Sequence, residues 1–546
     1  MFAKFKKHPF FSLCGRFKGY LFLLTVLGLL GSVVGIWFAF ASRNVVDVAA
    51  GNIEGNIKTE ILFLMTLVLI QLVIQILNSR LYVVAAGKIE MYLRSEIFSD
   101  LLNKKVSETE KIPTGELINR INGDAGVVVS AVVDIIPAAI SLSVRLALSL
   151  WALFVLDKEI AILCLILTPF MFMAGGLFRK KLKAMHKGYL ESEGKIRSFL
   201  IEAFGAITVI KTFVKEQFFA NKMENLQQSS FAKQKEKNMF SIMTTTVFFV
   251  AVTAGYYASL GWGAVKIAMG TMTVGTLFGM LSLIGQIEAP VRSISSLIPQ
   301  WFAASASLER IGELKELERD NKPEKLDHTG WTAIDFSCVS FNYEGTSILN
   351  NFSVSFPRGS VVTVAGESGI GKSTLFKLLL GFEKPESGEI VLIKEDGTKC
   401  ALHSGTRSIF AYVPQVNLLM SGTLAQNIAF GNPVNSEKLE KSAKQAELWG
   451  VIQSLPQGLH TELGENGYGL SEGEGQRVAI ARALYADAEI VLMDEGTSAL
   501  DGETEEKVLK NLKEMGKTII LISHREKAFE FSDLTIDLGR KRGLST

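Results

Sequence analysis

The chain has few cysteines and almost no net charge, and each shortage excludes a class of function. Four cysteines in 546 residues are widely separated and form no CxxC pair, which argues against a disulfide framework or a zinc site. The 57 basic and 55 acidic residues leave a net charge of +2. The chain therefore lacks the strongly basic field that would predict nucleic acid as a partner. We expect Cys14, Cys164, Cys338 and Cys400 to be packing residues.

Uncharged stretches are abundant instead, and they predict a membrane part. The mean hydropathy is +0.27, which is unusual for a purely soluble protein. Six stretches approach or exceed the roughly 20 apolar residues that a membrane-crossing helix needs. They are residues 19–42, 61–79, 135–156, 160–178, 239–265 and 267–287. The first begins like a signal peptide but is too long and has no convincing cleavage site, so we interpret it as a retained helix.

The gaps between these stretches alternate in length, which predicts their sidedness. Short gaps at 43–60, 157–159 and Lys266 alternate with long gaps at 80–134 and 179–238. The second long gap is rich in Lys and Arg, so the long loops and both termini are predicted to be cytoplasmic, with the protein in the cell membrane. Apolar residues recur through these loops, which indicates that the membrane helices continue beyond the lipid bilayer.

A charged stretch after the last apolar segment predicts a domain boundary. Residues 310–330 contain Asn321-Lys322-Pro323, and segments rich in β-branched and aromatic residues follow them. We therefore expect a six-helix transmembrane domain over 1–310, a linker over 311–330 and an α/β domain over 331–546.

One segment of the α/β domain fits the phosphate-binding pattern GxxxxGK[ST]. It follows an apolar run at 360–365 and precedes an apolar helix at 375–380, the order that the pattern requires. Its glycines let backbone N–H groups surround phosphates, while Lys372 reaches the β/γ oxygens and Ser373 binds Mg²⁺. The predicted nucleotide-binding residues are Gly366, Glu367, Ser368, Gly369, Gly371, Lys372, Ser373 and Thr374.

Two carboxylates predict the hydrolytic part of the site. The segment 490–495 is typical of a buried parallel strand, and it ends in Asp494 and Glu495. Downstream of a phosphate-binding loop, Asp494 is expected to hold Mg²⁺ and Glu495 to polarise the attacking water.

The order of the motifs resembles the ATP-binding cassette (ABC) transporter family. The resemblance rests on 366–374, Val413-Pro414-Gln415, Leu470-Ser471-Glu472-Gly473-Glu474-Gly475-Gln476-Arg477, 490–495, Ser498-Ala499-Leu500-Asp501 and His524. It implies a P-loop domain of ABC type that hydrolyses ATP to drive transport. It also implies that Gln415 contacts the metal and reports to the membrane domain, that His524 contacts the γ-phosphate, and that Tyr343 stacks on adenine.

The segment 470–477 departs from the LSGGQ signature of the family. Glu472 replaces the first glycine and Glu474 the glutamine, whereas Ser471 and Gly473 remain. We expect Ser471 to cap a helix at 478–486 and the two carboxylates to alter ATP affinity or turnover. In the family, ATP is sandwiched between the P-loop of one cassette and the signature of another. The chain is therefore predicted to need a second half-transporter, as a homodimer or a heterodimer.

The resemblance extends to the membrane half, whose fusion ahead of one cassette is the arrangement of ABC exporters. Residues 113–120 and 202–216 resemble the coupling segments, and residues 461–465 resemble the exporter loop before the signature. Ordinary charged amphipathic stretches are the alternative. An importer, or an ATPase uncoupled from transport that acts as a regulator or channel, is the alternative function.

Polar residues inside the spans suggest an amphipathic cargo such as a lipid, drug or peptide. Arg80, Arg145 and Arg292 are hypothesised to face an anionic cargo, or else each pairs within the bundle or extends to the interface. Gln71, Gln75 and Asn78 share one helical face, and Glu288 is spaced to pair with Arg292.

Overall fold

The computed structural model describes residues 9–320, 329–343, 345–367, 369–416, 418–464 and 469–539. The chain divides into two compact units. The first comprises the described residues up to Leu102 together with Pro113–Glu316, and the second comprises Asn103–Ile112 and the described residues from Leu317 onward. The first unit is helical and the second is α/β. The predicted fold class, a helical membrane domain followed by an α/β P-loop domain, is confirmed.

The first unit consists mainly of long helices. The short helix Val106–Thr109 lies among them in the sequence but belongs to the second unit. In chain order the helices are α1 Pro9–Arg16, α2 Lys18–Ala49, α3 Ile57–Leu101, α4 Val106–Thr109, α5 Thr114–Asn119, α6 Ala125–Leu156, α7 Lys158–Gly205, α8 Ile207–Thr212, α9 Glu216–Ala268 and α10 Val274–Glu316. A π-helical turn, Arg120–Asp124, joins α5 to α6. By length and composition, α2, α3 and the continuous helix Thr114–Leu156 can cross a membrane, and Val274–Ile287 is a shorter apolar segment. That all six predicted stretches cross the membrane stays a prediction.

The boundary predicted at Lys266 between the fifth and sixth spans is wrong. Helix α9 continues through Ala268, and α10 begins at Val274 after a short turn. The charge of Lys266 does not end the helix because its Nζ donates a hydrogen bond of 2.7 Å to Asp157 Oδ2. The reversal follows at Gly270, whose φ of 74° lies in the left-handed region that glycine adopts without a steric penalty.

The described residues of the second unit form three sheets, seven further α-helices and the 3-10 helices Ser404–Ile409 and Gly458–His460. The strands are β1 Trp331–Tyr343, β2 Thr346–Pro357, β3 Val361–Ala365, β4 Ser387–Lys394, β5 Lys399–Ala401, β6 Phe410–Val413, β7 Gly422–Thr423, β8 Glu462–Leu463, β9 Ile490–Asp494, β10 Thr518–Ile522 and β11 Leu534–Asp537. The helices are α11 Lys372–Leu379, α12 Leu424–Ala429, α13 Ser436–Gln445, α14 Trp449–Ser454, α15 Glu472–Tyr485, α16 Gly502–Glu514 and α17 Glu526–Glu530.

A parallel sheet positions the candidate site. Its strand order is β11-β3-β10-β9-β6, and every neighbouring pair is parallel. Strands β9 and β10 are buried along their whole length, which accounts for their continuous apolar sequences. Parallel strands end at one edge, so the chain after β3, β6, β9 and β10 emerges there. The remaining sheets are antiparallel, with strand orders β2-β1-β4-β5 and β7-β8.

Residues Asn103–Ile112, which contain α4, pack within the second unit although they precede it by about 200 residues. Lys105 N donates to the backbone oxygen of Glu318 at 2.9 Å, and Glu110 accepts a 2.7 Å hydrogen bond from Lys377 of α11. The predicted coupling segment at 113–120 begins directly after this stretch and is assigned to the first unit.

Candidate functional site

The phosphate-binding loop joins β3 to α11 in the conformation that its glycines permit. Gly366, Gly369 and Gly371 have φ values of 146°, 81° and 113°. A Cβ atom on Gly371 would lie 2.4 Å from Ile348 Cγ2, so no larger residue fits there without displacing its neighbour. The strand–loop–helix arrangement agrees with the predicted phosphate cradle. Ser368 lies outside the described residues.

Lys372 connects this loop to His524. The buried ammonium group of Lys372 donates to the backbone oxygens of Gly366 at 2.6 Å and Glu367 at 3.2 Å, and it lies 2.8 Å from His524 Nε2. An ammonium group can only donate hydrogen bonds, so Nε2 is the acceptor in this pair. A cavity of about 680 Å³ adjoins Gly366, Glu367 and His524.

Asp494 lies at the end of β9 in a mostly buried position. It is 6% exposed, and the Tyr412 hydroxyl donates a 3.5 Å hydrogen bond to its Oδ2. Burial raises the pKa of Asp494 above its usual value, an effect that a hydrogen bond from Ser373 opposes. Burial, reinforced by the neighbouring Asp494, raises the pKa of Tyr412 to about 12. Tyr412 therefore remains a neutral donor at physiological pH.

Glu495 is held by both its backbone and its side chain. Its φ of 51° is unusual for a residue with a side chain and costs roughly 1–3 kcal/mol. Its backbone N–H donates to Ile522 O at 3.0 Å, and its Oε2 accepts from Gln415 Nε2 at 2.9 Å. The structure thus brings together Gln415 from the end of β6 and Glu495 from the end of β9.

These residues fit a nucleotide-bound Mg²⁺ ion. Within the described ranges, no group of three or more His, Cys, Asp or Glu side chains is arranged to hold a metal. A Mg²⁺ ion that takes oxygens from phosphates and keeps several waters needs only one or two protein ligands. The Asp494 carboxylate and the Ser373 hydroxyl, which contact each other, can supply them. Gln415 contacts Glu495 and offers a further oxygen.

Ser471 caps the signature helix, which begins earlier than expected. Helix α15 starts at Glu472, so the start predicted at Val478 is wrong. The Ser471 hydroxyl accepts from Glu474 N at 3.3 Å, and the Glu474 carboxylate accepts from Ser471 N at 2.7 Å. This capping box explains how a segment with two glycines remains helical. Gly473 lies in the first turn, where a Cβ atom would be 2.8 Å from Ala499 O.

The remaining predicted cassette residues occupy separate positions. Tyr343 is 41% exposed at the end of β1 and packs edge-on against Phe341. Thr461–Gly464 contains β8, which pairs with β7, and Glu465 lies outside the described residues. Stacking on adenine by Tyr343 stays a prediction.

The predicted membrane-half residues also differ in their surroundings. Arg145 is half-buried on α6, and its Nε is buried without a hydrogen-bond partner in the described part of the chain. Arg80 is exposed on α3, as are Gln71 and Gln75, whereas Asn78 is half-buried. The side chains of Glu288 and Arg292 lie outside the described set. The segment 202–216 spans the end of α7 and α8, where Val209 and Phe213 are 56% and 68% exposed.

The sequence does not indicate a role for several side chains around the loop that follows β9. Gln476, Glu505 and Arg525 hold this loop through hydrogen bonds to its backbone and side chains. Gln476 was recognised only as part of the signature. Arg525 directly follows the predicted switch histidine, and this adjacency was the one available signal.

The sheet and the site of the second unit define a class of protein domain. A parallel sheet with a phosphate-binding loop, a buried aspartate and an adjacent glutamate is the core of a P-loop nucleotide-binding domain. Here it follows a helical membrane domain on the same chain.

Comparison with known proteins identifies the family. Residues 21–291 match the model of the ABC transporter transmembrane region, and residues 349–498 match that of the ABC transporter. A Rickettsia prowazekii protein named as an export ATP-binding/permease protein is 30% identical over 537 residues, covering 95% of this chain and 91% of that protein. The chain belongs to the ABC transporter family and is a half-transporter of the exporter type.

Two further similarities agree with this assignment. The ATP-dependent lipid A-core flippase of Desulfotalea psychrophila is 29% identical over 443 residues, covering 79% of this chain and 76% of that protein. The solved structure of a bacterial Atm1-family ABC exporter with ATP bound has a TM-score of 0.80 and 21% identity, covering 98% of this chain and 97% of that one. The structural likeness supports the fold.

Proposed function

We propose that two half-transporters, either two copies of this chain or this chain and a homologue, form an ATP-driven exporter in the cell membrane. Both termini and the nucleotide-binding unit lie on the cytoplasmic side. One observation carries the proposal: Lys372, Asp494, Glu495, Gln415 and His524 meet at one edge of a parallel sheet in a chain with membrane-crossing helices.

Each side chain then has a role in hydrolysis. Lys372 neutralises the β/γ-phosphates, and Asp494 and Ser373 hold Mg²⁺, which would neutralise charge that develops on the phosphates. Glu495, oriented by Gln415, positions the attacking water and accepts its proton. His524, which lies 2.8 Å from Lys372, contacts the γ-phosphate. Ser471 of the other half-transporter completes the site.

An amphipathic lipid, drug or peptide is the proposed cargo. Arg145 supports an anionic group on it, because an arginine whose buried Nε lacks a hydrogen-bond partner among the described residues is costly in an apolar helix unless it serves a function. The name of the Desulfotalea psychrophila relative, a lipid A-core flippase, supports a lipid among these classes.

Glu495→Gln tests the hydrolytic role. We expect at least an approximately 100-fold loss of ATPase activity in the purified dimer, because a general base typically contributes 10²–10⁴-fold. Equilibrium binding of Mg-ATP should persist, since the phosphate-binding loop is intact. Glu514→Gln, which removes an exposed carboxylate at the end of α16, is the matched control. Equal ATPase rates in Glu495→Gln and the wild type would contradict the assignment.

Transport is measured with the cargo that copurifies from the native membrane, identified by mass spectrometry. ATP-driven accumulation in inside-out vesicles supports export. Accumulation only in right-side-out vesicles would indicate an importer. Hydrolysis that depends on Glu495 without accumulation in either orientation would indicate an uncoupled ATPase.

A further inference from the structure

Tyr412 is the exposed residue of β6, and its side chain lies on the same face of the parallel sheet as Asp494. The other residues of β6 are buried, whereas Tyr412 is 39% exposed. Tyr412 pairs with Leu492 of β9, and Asp494 lies two residues further along that strand. Residues two apart share one face of a strand, so the long side chain of Tyr412 can reach Asp494 diagonally. Its hydroxyl donates to Asp494 Oδ2 at 3.5 Å.

The ring of Tyr412 packs against the helix that follows the phosphate-binding loop. It meets the ring of Phe376 of α11 edge-on, with the ring centroids 6.2 Å apart and an interplanar angle of 88°. Aromatic pairs prefer this geometry, which holds both rings in place. Phe376 is 1% exposed and lies about one helical turn after Ser373. Tyr412 therefore contacts both elements that supply the proposed Mg²⁺ ligands, the strand that ends in Asp494 and the helix that carries Ser373.

The carboxylate of Asp494 needs a partner of this kind to keep a fixed orientation. The terminal torsion of an aspartate side chain is broadly distributed, so the side chain alone does not set the plane of its carboxylate. Mg²⁺ demands nearly ideal octahedral geometry, whereas Ca²⁺ accepts irregular arrangements of oxygen ligands. Hydrogen bonds to a ligating carboxylate fix its orientation, and their loss typically costs 10–100-fold in metal affinity or activity.

We propose that Tyr412 is a positioning residue for the nucleotide-bound metal ion and favours Mg²⁺ over Ca²⁺. This inference rests on the proposed function, in which Asp494 and Ser373 hold Mg²⁺. The hydroxyl of Tyr412 fixes the plane of the Asp494 carboxylate, and the ring holds that hydroxyl in place against α11. Tyr412 acts through Asp494. Loss of its hydroxyl should therefore change the affinity and the selectivity of the site for metal ions and leave nucleotide binding without metal intact.

Tyr412→Phe tests the proposal because it removes the hydroxyl and keeps the ring. The purified full-length dimer is loaded with a non-hydrolysable ATP analogue, with the protein in excess so that free nucleotide does not hold the ion. Binding of Mn²⁺ is followed by electron paramagnetic resonance, and binding of Mg²⁺ and Ca²⁺ by displacement of Mn²⁺. We expect the Kd for Mg²⁺ to rise about tenfold, at the lower end of the effect of such partners, and the Kd for Ca²⁺ to change less than about twofold.

Two controls separate positioning from a general disturbance of the site. The Kd for the ATP analogue in EDTA should equal that of the wild type, because the phosphate-binding loop is intact. Tyr485→Phe is the matched variant, since it removes another tyrosine hydroxyl of the second unit, one that bonds the backbone of Pro433 and Asn435. Its affinities for all three metal ions should equal those of the wild type.

The selectivity between the two ions decides the role of Tyr412. A weaker affinity for Mg²⁺ with an unchanged affinity for Ca²⁺ supports it. An unchanged affinity for Mg²⁺, an equal loss for both ions or a changed Kd in EDTA overturns it, while the proposed function stands. If the wild-type dimer binds the analogue without any divalent ion, the proposed metal site fails, and the role of Tyr412 fails with it.

Discussion

The Glu474 carboxylate has two effects at the start of α15: it caps the helix, and it adds a negative charge at the end of the helix that is proposed to face the other half-transporter. Its carboxylate accepts from Ser471 N, which stabilises the start of α15. The same carboxylate places negative charge where the other half-transporter is proposed to bring the γ-phosphate. A glutamine at this position can accept the same backbone hydrogen bond without the charge.

Glu474→Gln should therefore increase the affinity for ATP at the proposed interface between the two half-transporters. We expect the KM for ATP to fall about two- to fivefold, which corresponds to the roughly 0.3–1 kcal/mol that one charge contributes at a helix terminus. The measurement is the ATP dependence of hydrolysis by the purified dimer.

Glu437→Gln is the matched control, because Glu437 is also an acidic first-turn residue, on a helix that carries no motif. Its KM should equal that of the wild type. A higher KM in Glu474→Gln would show that the carboxylate assists nucleotide binding instead of opposing it.

Individual residues differ in how far sequence predicts them. Asp494 and Glu495 were identifiable because they end an apolar strand after a phosphate-binding loop. The contact of Arg525 with Ser498 could not be predicted in this way. The two residues are 27 positions apart, and Arg525 bonds the backbone oxygen of Ser498, a group that every residue type carries. Nothing in the sequence of either segment specifies that pairing.

Secondary-structure elements show the same division. The buried strand β9 was predicted within one residue of its end, because strands covered on both faces are continuously apolar. The first turns of α15 were missed, because Gly473 and Gly475 have poor helix propensity and the capping box compensates for it. The end of α9 was misplaced because the partner of Lys266, Asp157, is 109 residues away.

Asp533 connects β3 to the end of α16, and its contribution to stability should depend on pH. Its carboxylate accepts from Lys513 Nζ and from Val361 N, both at 2.8 Å. These bonds, that of Lys513 first, lower the pKa of Asp533. The stabilisation is therefore complete above the ordinary aspartate pKa of about 3.9 and is lost as pH falls through the lower folded-state value.

Asp533→Asn should lower the unfolding temperature of the second unit by about 2 °C at pH 7. A partly exposed ion pair contributes up to about 1 kcal/mol to the free energy of unfolding, and the loss of this amount lowers the unfolding temperature of a domain of this size by about 2 °C. The difference from the wild type should shrink as the pH approaches 3. Thermal unfolding followed at several pH values checks this, with Glu530→Gln as the control. A difference that is constant down to pH 3 would contradict the role of the charge.

Two exposed apolar surfaces suggest how a dimer transmits movement. Val209, Phe213 and Val214 in and after α8 are 56%, 68% and 78% exposed. On the second unit, Val416, Leu418 and Met420 follow Gln415 closely in sequence and are 63–69% exposed, and Phe430, which lines one pocket with Met420, is 52% exposed. Patches of this kind mark interaction sites. We expect each of these surfaces to be a contact site in the assembled dimer.

Phe213→Asp should uncouple hydrolysis from the membrane part. We expect the purified dimer to keep at least half of its ATPase activity, because Phe213 lies outside the nucleotide site, while ATP-driven cargo accumulation falls about tenfold or more. A charge in an apolar contact costs several kcal/mol, enough to release it.

Phe231→Asp is the control, since Phe231 on α9 is similarly exposed at 65% and lies outside both surfaces. It should transport normally. Normal accumulation in Phe213→Asp would remove this surface from the coupling path.

The placement of Asn103–Ile112 decides how a recombinant nucleotide-binding fragment should be made. A fragment cut at Leu317 would lose ten residues that belong to its own fold, including the backbone partner of Asp320 and the carboxylate that neutralises Lys377. Lys377, in the last turn of α11, would then lose its ion-pair partner, and the surface that Asn103–Ile112 covers would be exposed to solvent. A fragment that carries residues 103–112 on a designed linker should be more stable and more soluble, and therefore better suited to crystallisation or ligand screening.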